Sequence, residues 1–307
     1  MFISDAFLKG DILDILTHFE NEEKIKEYIN ACETRFKKEI SLCVHRLTED
    51  RSLRFITLGG PSCSGKTTAA HIIVDALENA GRSVKVVSID DFFLERELLN
   101  RREILDYDSV ETIDLELLKQ TVDLIENGES VNLPKFDFVT GSRTGYTRYD
   151  PMPESITVFE GIQAVYPEIV SLFDKNDTRS IYISVAQDMC FDDITVDART
   201  VRLLRRLVRD CKKRGTAPEF TLTLWESVCA NEDKSILPYK DGCDFKLDSL
   251  LGYELSLLKT PALALLAEIE KDSVHSTKAR ELESLLSRVC AVDALYVPKD
   301  SLFNEFI

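Results

Sequence analysis

The feature that most constrains the fold of this chain is the phosphate-loop pattern in residues 55–70, which read FITLGGPSCSGKTTAA. Four residues satisfy G-x-x-x-x-G-K-[ST]: Gly60, Gly65, Lys66 and Thr67. The glycines allow backbone N–H groups to converge on phosphate oxygens, because no Cβ stands in the way. An apolar run precedes the loop and a helical pattern follows it, which is the order that the motif requires. A phosphate group is therefore the predicted ligand, and an ordinary glycine-rich turn is the weaker alternative.

Each residue type in the loop has a role in holding phosphate. The helix that begins near Lys66 points the positive end of its dipole at the phosphates, and the Lys66 ammonium adds a full charge. The Thr67 hydroxyl is expected to complete the coordination of Mg²⁺. The predicted nucleotide-binding residues of the loop are Gly60, Ser62, Cys63, Ser64, Gly65, Lys66, Thr67 and Thr68.

Strand candidates alternate with helical patterns along the middle of the chain. β-branched and aromatic runs predict strands at Arg54–Leu58, Val84–Ile89, Ser155–Phe159, Ser180–Val185 and Cys243–Leu247. Three- and four-residue spacing predicts helices at Lys66–Ala80, Asp114–Asn127, Tyr166–Phe173 and Phe220–Asn231. This alternation predicts an α/β fold of the P-loop NTPase type, in which helices flank a parallel sheet.

The overall charge is acidic, while one short segment is strongly basic. A formal net charge of −16 argues against DNA or RNA as a partner, because no basic surface is available to neutralise nucleic-acid phosphates. Residues 199–214 read RTVRLLRRLVRDCKKR and hold much of the positive charge. Such a run is ordinarily a solvated helix face. Because a phosphate loop needs counter-charges, we interpret this run as part of the phosphate site.

The sequence shows no sign of secretion, of a membrane span or of a cysteine-based metal site. Eight cysteines are scattered without a C-x-x-C pair, which argues against a zinc site and against a disulfide framework. The N-terminal stretch lacks a basic region and does not read as a signal peptide. We expect reduced thiols, no membrane partner and a cytoplasmic location. A redox role for Cys63 is a less favoured alternative to simple steric tolerance.

Carboxylates follow two of the predicted strands, at the sheet edge that carries the phosphate loop. VKVVSI runs into Asp90 and Asp91, and SITVF runs into Glu160. In open α/β sheets the ligand lies beyond the carboxyl ends of the strands. Phosphoryl transfer needs one acid to deprotonate the acceptor hydroxyl and another to hold Mg²⁺, and we assign these roles to Asp90 and Glu160. The predicted Mg²⁺-binding residues are therefore Thr67, Glu160 and Asp90. Helix capping is the alternative for Asp90 and the favoured interpretation of Asp91.

Several further segments occur in a characteristic order. GGPSCSGKTT is followed by VSIDDFF, YDSVETID (107–114), LPKFDFVTGSR (133–143), VFEGI (158–162) and RLLRRLVRD (202–210). Between about Phe55 and Leu258 this order resembles the uridine kinase branch of the uridine kinase and phosphoribulokinase superfamily. The tail is similar to the kinase half of larger bacterial nucleoside-kinase-like proteins. The resemblance implies a P-loop kinase that uses ATP and Mg²⁺, and it suggests self-association.

The resemblance also implies roles for individual residues. Asp90 matches the catalytic carboxylate, Asp108 the carboxylate that grips the ribose hydroxyls, and Phe136 an aromatic position beside the base. Glu160 matches the Mg²⁺-linked acid, and Arg143 falls among the substrate-binding residues. The lid arginines that close on the phosphates and the acceptor match Arg206, Arg209 and Arg214. Arg206 and Arg209, together with Asp90 and Lys66, form the expected catalytic set. Arg214 joins the expected nucleotide-binding residues.

Two positions depart from the family's pattern on the acceptor side. Gly141 stands where uridine kinases usually carry a base-reading histidine, and Thr216 stands where they carry a second arginine after Arg-Gly. A site that hydrogen-bonds a substrate group rejects analogues far better than an apolar pocket does. Phosphoryl transfer is therefore better supported than pyrimidine recognition.

The predicted function is ATP-dependent phosphorylation of the primary hydroxyl of a nucleoside, or of a similar ribose-like acceptor. One alternative is a kinase for another small alcohol, such as a phosphosugar or a pantothenate-like compound. A nucleotide-binding regulatory protein without catalysis is a second alternative. An NTP-driven switch is disfavoured, because the chain has no N-K-x-D motif to read guanine.

Both ends of the chain read as helical additions to this kinase. The pattern predicts two helices between about Asp5 and Glu49, and further helices from Tyr253 onward, where Pro261 is expected to kink or split the first. We predict a helical N-terminal extension over 1–50, a P-loop kinase domain over 51–258, and a C-terminal helical segment over 259–307 packed on that domain.

Overall fold

The computed structural model describes residues 21–103, 108–191 and 193–307. The first of the two helices expected between residues 5 and 49 lies outside the described residues. The helices are α1 (Glu22–Glu49), α2 (Lys66–Asn79), α3 (Arg96–Arg101), α4 (Leu115–Glu126), α5 (Pro167–Val170), α6 (Ala198–Arg214), α7 (Pro218–Ser235), α8 (Glu254–Leu266) and α9 (Ser276–Ser287). The strands are β1 (Phe55–Gly59), β2 (Val84–Ser88), β3 (Val131–Asp137), β4 (Ser142–Tyr149), β5 (Ile156–Glu160), β6 (Thr178–Ser184), β7 (Met189–Phe191), β8 (Ile194–Val196) and β9 (Phe245–Asp248).

A parallel sheet forms the centre of the described chain. Its five strands run in the order β2-β5-β1-β6-β9, and every neighbouring pair is parallel. β1 and β5 are buried along their whole length, as inner strands of a parallel sheet covered on both faces must be. This confirms the predicted α/β fold with helices flanking a parallel sheet. In the strand register, Glu160 lies opposite both Leu58 and Ser88, so the strand ends that carry the loop and the acids finish at one edge.

A hairpin that the sequence did not predict stands beside this edge. β3 and β4 pair antiparallel in a two-stranded sheet of their own. Pro134 and Gly145 lie within these strands, and β4 is mostly exposed or half-buried, so the pair lacks the apolar run that marked the other strands. The hairpin turn closes with a hydrogen bond from the Gly141 N–H to the Asp137 carbonyl.

Pro261 does not split the helix in which it lies. α8 runs from Glu254 to Leu266 with Pro261 inside it, so of the two expected outcomes the split is wrong, while a kink stays a prediction. Leu257 and Leu258 before the proline and Ala262 after it are buried in the core. Tertiary packing on both sides therefore outweighs the backbone hydrogen bond that the proline removes.

Both ends of the described chain pack on the same apolar core as the sheet. On α1, Arg35 pairs with Glu39 at 3.0 Å and with Asp248 of β9 at 3.5 Å. At the other end, Phe303 and Phe306 are fully buried and contact each other edge to face. The domain limits near residues 50 and 258 remain predictions. Across the described residues, no helix combines the length and the apolar character that crossing a membrane requires.

Candidate active site

The phosphate loop lies between β1 and α2, and its two motif glycines are required by packing. A Cβ at Gly60 would lie 2.0 Å from the Ile183 carbonyl oxygen, a contact that no side chain can make. Gly65 has φ +84°, and a Cβ there would lie 2.6 Å from Leu302 Cδ1. Cys63 also adopts a positive φ of 59°, which is unusual for a residue with a side chain. The loop is therefore held in a conformation that its own residues do not prefer.

Arginines of α6 hold this loop from outside. Arg202 donates to the Ser62 carbonyl at 3.1 Å, and Arg205 donates to the Cys63 carbonyl at 3.0 Å. Arg206 donates to Ser62 Oγ at 2.9 Å. Because N–H and C=O point in opposite directions in a trans peptide, the amide that follows each bound carbonyl faces away from α6. The helix thus orients part of the loop backbone before any ligand binds.

Two of these arginines are neutralised by buried acids. Arg202 pairs with Glu232 at 2.6 Å, and Arg205 pairs with Glu254 through two hydrogen bonds of 2.5 and 2.8 Å. Arg205 and Glu254 are fully buried. The interpretation of the whole basic run as counter-charge for phosphate is therefore wrong for Arg202 and Arg205, because their charges are already paired inside the protein. The solvated-face interpretation is wrong for them as well.

A buried aspartate that sequence reasoning missed pairs with three further arginines of the run. Asp210 pairs with Arg206 at 3.2 Å, with Arg209 at 2.7 Å and with Arg214 at 3.5 Å. Its side chain is 5% exposed, whereas the Arg214 side chain is 59% exposed. The available signal was one acid inside a run of arginines, at helical spacing from two of them. Asp210 therefore fixes the direction of three cations beside the phosphate loop.

Lys66 is the first residue of α2, and its ammonium lies among carboxylates. Its Nζ donates to the Pro61 carbonyl at 3.0 Å. Burial lowers the pKa of Lys66, while the negative charges of Glu160, Glu305 and Asp90 act in the opposite direction. The ammonium therefore shares one electrostatic environment with the strand-end acids.

Asp90 and Glu160 lie side by side at the ends of β2 and β5. Ser88 Oγ donates to Glu160 Oε1 at 3.0 Å, and a Cβ at Gly161 would lie 3.7 Å from Asp90 Oδ1. Burial, followed by the charge of Glu160, raises the pKa of Asp90 to about 6, against the opposing effect of Lys66. A carboxyl with this pKa is ionised at neutral pH and still takes up a proton readily.

Asp91, the next residue, does not cap a helix as the sequence analysis favoured. Its Oδ1 accepts a hydrogen bond from the Phe136 N–H at 2.9 Å, which ties the turn after β2 to strand β3. Neither the turn Ile89–Phe92 nor α3 has a side-chain cap. The capping interpretation of Asp91 is therefore wrong, and the side chain instead anchors the hairpin.

Of the predicted acceptor-side residues, Phe136 and Arg143 lie in the hairpin, and the charge of Asp108 acts on Asp90 to raise the pKa of that carboxyl. The Asp108 carbonyl accepts a hydrogen bond from Tyr166 Oη at 3.0 Å. The Phe136 ring lies 5.8 Å from that of Phe93 and 5.0 Å from that of Phe138, measured between centroids. Arg143 is engaged within the protein, because it pairs with Asp114 at 2.7 Å and donates to the Phe93 carbonyl at 3.2 Å. An aromatic wall and internally paired charges thus line this side.

The structure also accounts for the glycine at position 141. Gly141 has φ +71°, and a Cβ there would lie 2.6 Å from Arg96 Nε. The Arg96 guanidinium donates to the Phe138 carbonyl at 2.6 Å and to the Val139 carbonyl at 3.3 Å. An arginine from α3 therefore fills the space that a side chain at position 141 would need.

Comparison with known proteins assigns the chain to a family. A sequence model of the Phosphoribulokinase / Uridine kinase family matches residues 55–254, a range that contains the loop, the strand-end acids and α6. The chain belongs to this family. Its members are P-loop kinases, so the protein is an enzyme of this class, as the resemblance implied.

Curated relatives of this kinase cover most of its central region. It is 30% identical over 197 residues to a uridine kinase of Staphylococcus aureus (strain JH9), covering 63% of this chain and 86% of the relative. It is 28% identical over 188 residues to a uridine kinase of Ureaplasma parvum serovar 3, covering 60% of this chain and 83% of the relative.

Solved structures with a similar fold are more distant. A putative fructose transport system kinase from Silicibacter sp. TM1040 has a TM-score of 0.48 at 18% identity and covers 67% of this chain and 98% of its own. The phosphoribulokinase from Rhodobacter spheroides has a TM-score of 0.42 at 17% identity, with coverage of 64% and 70%. A likeness at this level adds nothing to the assignment of a substrate.

Proposed function

We propose that this kinase transfers the terminal phosphate of ATP to the primary hydroxyl of a nucleoside or of a similar ribose-like acceptor. One observation carries the proposal: the Asp90 carboxyl lies beside Glu160 and close to the Lys66 ammonium, at the end of the phosphate loop. Membership of a kinase family supports phosphoryl transfer, and the curated relatives named uridine kinase support a nucleoside acceptor.

Groups that can bind donor phosphates are present in the loop. Ser64 Oγ is buried and has no hydrogen-bond partner within the described ranges, so it offers a donor to a phosphate oxygen. The start of α2 adds backbone N–H groups of the kind that bind phosphate at a helix N-terminus. The proposed nucleotide-binding residues are Gly60, Ser62, Cys63, Ser64, Gly65, Lys66, Thr67, Thr68 and Arg214.

Protein oxygens that suit Mg²⁺ lie next to the loop. Thr67 and Glu160, with Asp90 beside them, would hold the ion, which in such sites is bound by one or two carboxylates together with substrate phosphates and water. When bound, Mg²⁺ neutralises charge on the donor phosphates. Across residues 21–103, 108–191 and 193–307, no group of three or more His, Cys, Asp or Glu residues forms a metal site by itself.

Different side chains carry out the proton transfer and the charge stabilisation of the proposed reaction. Asp90 orients the acceptor hydroxyl and accepts its proton as the oxygen attacks the terminal phosphorus, and ADP leaves. Lys66, Arg206 and Arg209 stabilise the charge that spreads over the three equatorial oxygens of the transferring group. Asp210 positions the two arginines for this task through its ion pairs with them.

The acceptor is held on the hairpin side of the site. Asp108 anchors its diol, Phe136 lies beside its base, and Arg206 and Arg209 reach it from α6. Arg143 acts through the hairpin, which its ion pair with Asp114 holds in place.

A second candidate, a kinase of another small alcohol such as a phosphosugar, is favoured by one observation: Arg96 fills the space of the side chain that reads the base in uridine kinases.

Release of ADP in the presence of Mg·ATP, measured against nucleosides, ribose derivatives and small alcohols, tests this proposal. Asp90→Asn serves as the blank, and it should lower kcat by about 10²- to 10⁴-fold while leaving the Kd for ATP within about threefold of wild type. Turnover of at least one nucleoside supports the proposal. If only small alcohols are turned over, the second candidate replaces it, and unchanged turnover in Asp90→Asn removes the role of Asp90.

A further inference from the structure

The C-terminal segment 301–307 packs directly on the phosphate loop and lies outside the range that the family model matches. Leu302 occupies the space above Gly65, and the Arg205 guanidinium lies 4.7 Å from the centroid of the Phe306 ring. Leu302, Phe303 and Phe306 are all fully buried. The segment is therefore a fixed wall of the loop.

One acidic side chain of this segment binds the start of α2. Thr68 Oγ1 donates to Glu305 Oε2 at 2.9 Å, and the Thr68 N–H donates to the same oxygen at 3.4 Å. Thr68 is the third residue of α2, and the first backbone bond inside this helix runs from Ala69 to Gly65. Thr68 therefore offers one of the N–H groups that a helix leaves free at its N-terminus, and those groups bind phosphate in a phosphate loop.

The charge of Glu305 also faces the cations of the site. Its negative charge acts to raise the pKa of both Lys66 and Arg209, so the carboxylate stabilises the charged form of each of these cations. Lys213 of α6 donates to the carbonyls of Asn304 and Glu305, at 2.8 Å each. The backbone at Glu305 is thus held from α6, while its half-buried side chain is held through its hydrogen bonds with Thr68.

We propose that the Glu305 carboxylate is a built-in competitor of the nucleotide donor. In the resting kinase it occupies the position of a donor phosphate oxygen at Thr68, and the donor binds with displacement of this side chain. The inference rests on the proposed function, because it requires that donor phosphates enter this loop. It differs from a simple helix cap, which would strengthen α2 without opposing the ligand.

Glu305→Gln tests the competition, because it keeps the shape of the side chain and removes its charge. Asp300→Asn is the matched control: Asp300 immediately precedes this segment and pairs with Lys37 of α1 at 2.6 Å. Calorimetry with ATP and with inorganic tripolyphosphate gives the affinities, and thermal unfolding without ligand gives the stability. We expect Glu305→Gln to bind both ligands about five- to tenfold more tightly, with no rise in melting temperature, and Asp300→Asn to match wild type.

The outcomes separate this inference from the proposed function. Equal or weaker binding by Glu305→Gln overturns the competition, and wild-type turnover of an acceptor then leaves the proposed function intact. Tighter binding by Glu305→Gln without turnover of any acceptor upholds the competition and removes the proposed function. If neither protein binds ATP or tripolyphosphate at millimolar concentration, both the competition and the proposed function are contradicted.

Discussion

The donor side and the acceptor side of the site are built in different ways. The phosphate loop packs between α6 and the C-terminal segment, and buried arginines bind its carbonyls at Ser62 and Cys63. The β3–β4 hairpin is a two-stranded ribbon outside the main sheet, and its tip exposes Phe138 and Val139 to solvent. The protein core thus fixes one side, whereas the other side lies at the surface.

Because of this difference, residues for phosphoryl transfer and residues for acceptor recognition are under different structural constraints. Core positions tolerate little change in volume or charge, so the groups that would hold the donor are constrained by packing as well as by function. Surface ribbons and loops tolerate substitution, so acceptor recognition can change while phosphoryl transfer is retained. Of the two departures from the uridine kinase pattern, Gly141 lies in the hairpin, whereas Thr216 follows α6 and its N–H donates to the Asp210 carbonyl.

The largest effect is expected on the donor side, from Arg205→Met. The substitution leaves Glu254 charged and unpaired in the core and releases the Cys63 carbonyl, which should lower the free energy of unfolding by about 3–5 kcal/mol. Urea denaturation measures this loss. The double variant Arg205→Met/Glu254→Met should recover most of the stability but not the affinity for ATP, because the loop has still lost its support. Recovery of both would show that α6 does not shape the loop.

A smaller effect, of opposite sign, is expected at Asp90. Its pKa is raised from an ordinary value of 3.8 to about 6, so the stability that its protonation contributes is complete below about pH 3.8 and is lost as the pH rises through about 6. Asp90→Asn stays neutral throughout. At pH 7.5 it should therefore raise the free energy of unfolding by about 1–2 kcal/mol, after allowance for the partial exposure of the group, and this gain should vanish near pH 4.

The control for this measurement is the neighbouring residue. Asp91→Asn weakens the hydrogen bond that Asp91 accepts from the Phe136 N–H and should not stabilise the protein at any pH. Thermal unfolding followed between pH 4 and 8 compares the two variants. A gain in Asp90→Asn that does not depend on pH would contradict the burial of a charged Asp90.

An effect similar in size to that at Asp90, but destabilising, is expected on the acceptor side, from Gly141→Ala. The new Cβ meets Arg96 and sits at a positive φ, which should cost about 1–2 kcal/mol of stability and raise the KM for the acceptor several-fold. The Kd for ATP should not change. Gly145→Ala is the matched control on the same hairpin, since its Cβ would meet nothing within 4 Å. A change in the Kd for ATP in Gly141→Ala would show that the two sides are coupled.

Local patterns in the sequence predicted the centre of the fold. The strand–loop–helix of residues 55–79 and the acids that end β2 and β5 follow from short-range signals, because each depends on residues adjacent in the chain. The hairpin escaped prediction, since Pro134 interrupts the short apolar pattern of β3 and β4 is mostly polar and contains Gly145. Its pairing depends on antiparallel contacts rather than on an apolar run.

The partners of α6 and of the loop depend on long-range contacts that the sequence does not encode locally. Arg202, Arg205, Arg206 and Arg209 look alike in the sequence, yet the first two are neutralised by acids 30 and 49 positions away. Likewise, the contact between Thr68 and Glu305 spans 237 positions. Only the three-dimensional fold distinguishes the arginines that buried Glu232 and Glu254 neutralise from those that pair with Asp210.

The account rests on Asp90 as the group that takes the proton from the acceptor, and single-turnover phosphoryl transfer measured against pH tests this most directly. For the wild type, the account predicts a rate that falls about tenfold per pH unit below about pH 6, because Asp90 is then protonated. For Asp90→Asn it predicts a slow rate without that acid limb. The same acid limb in both proteins would contradict it.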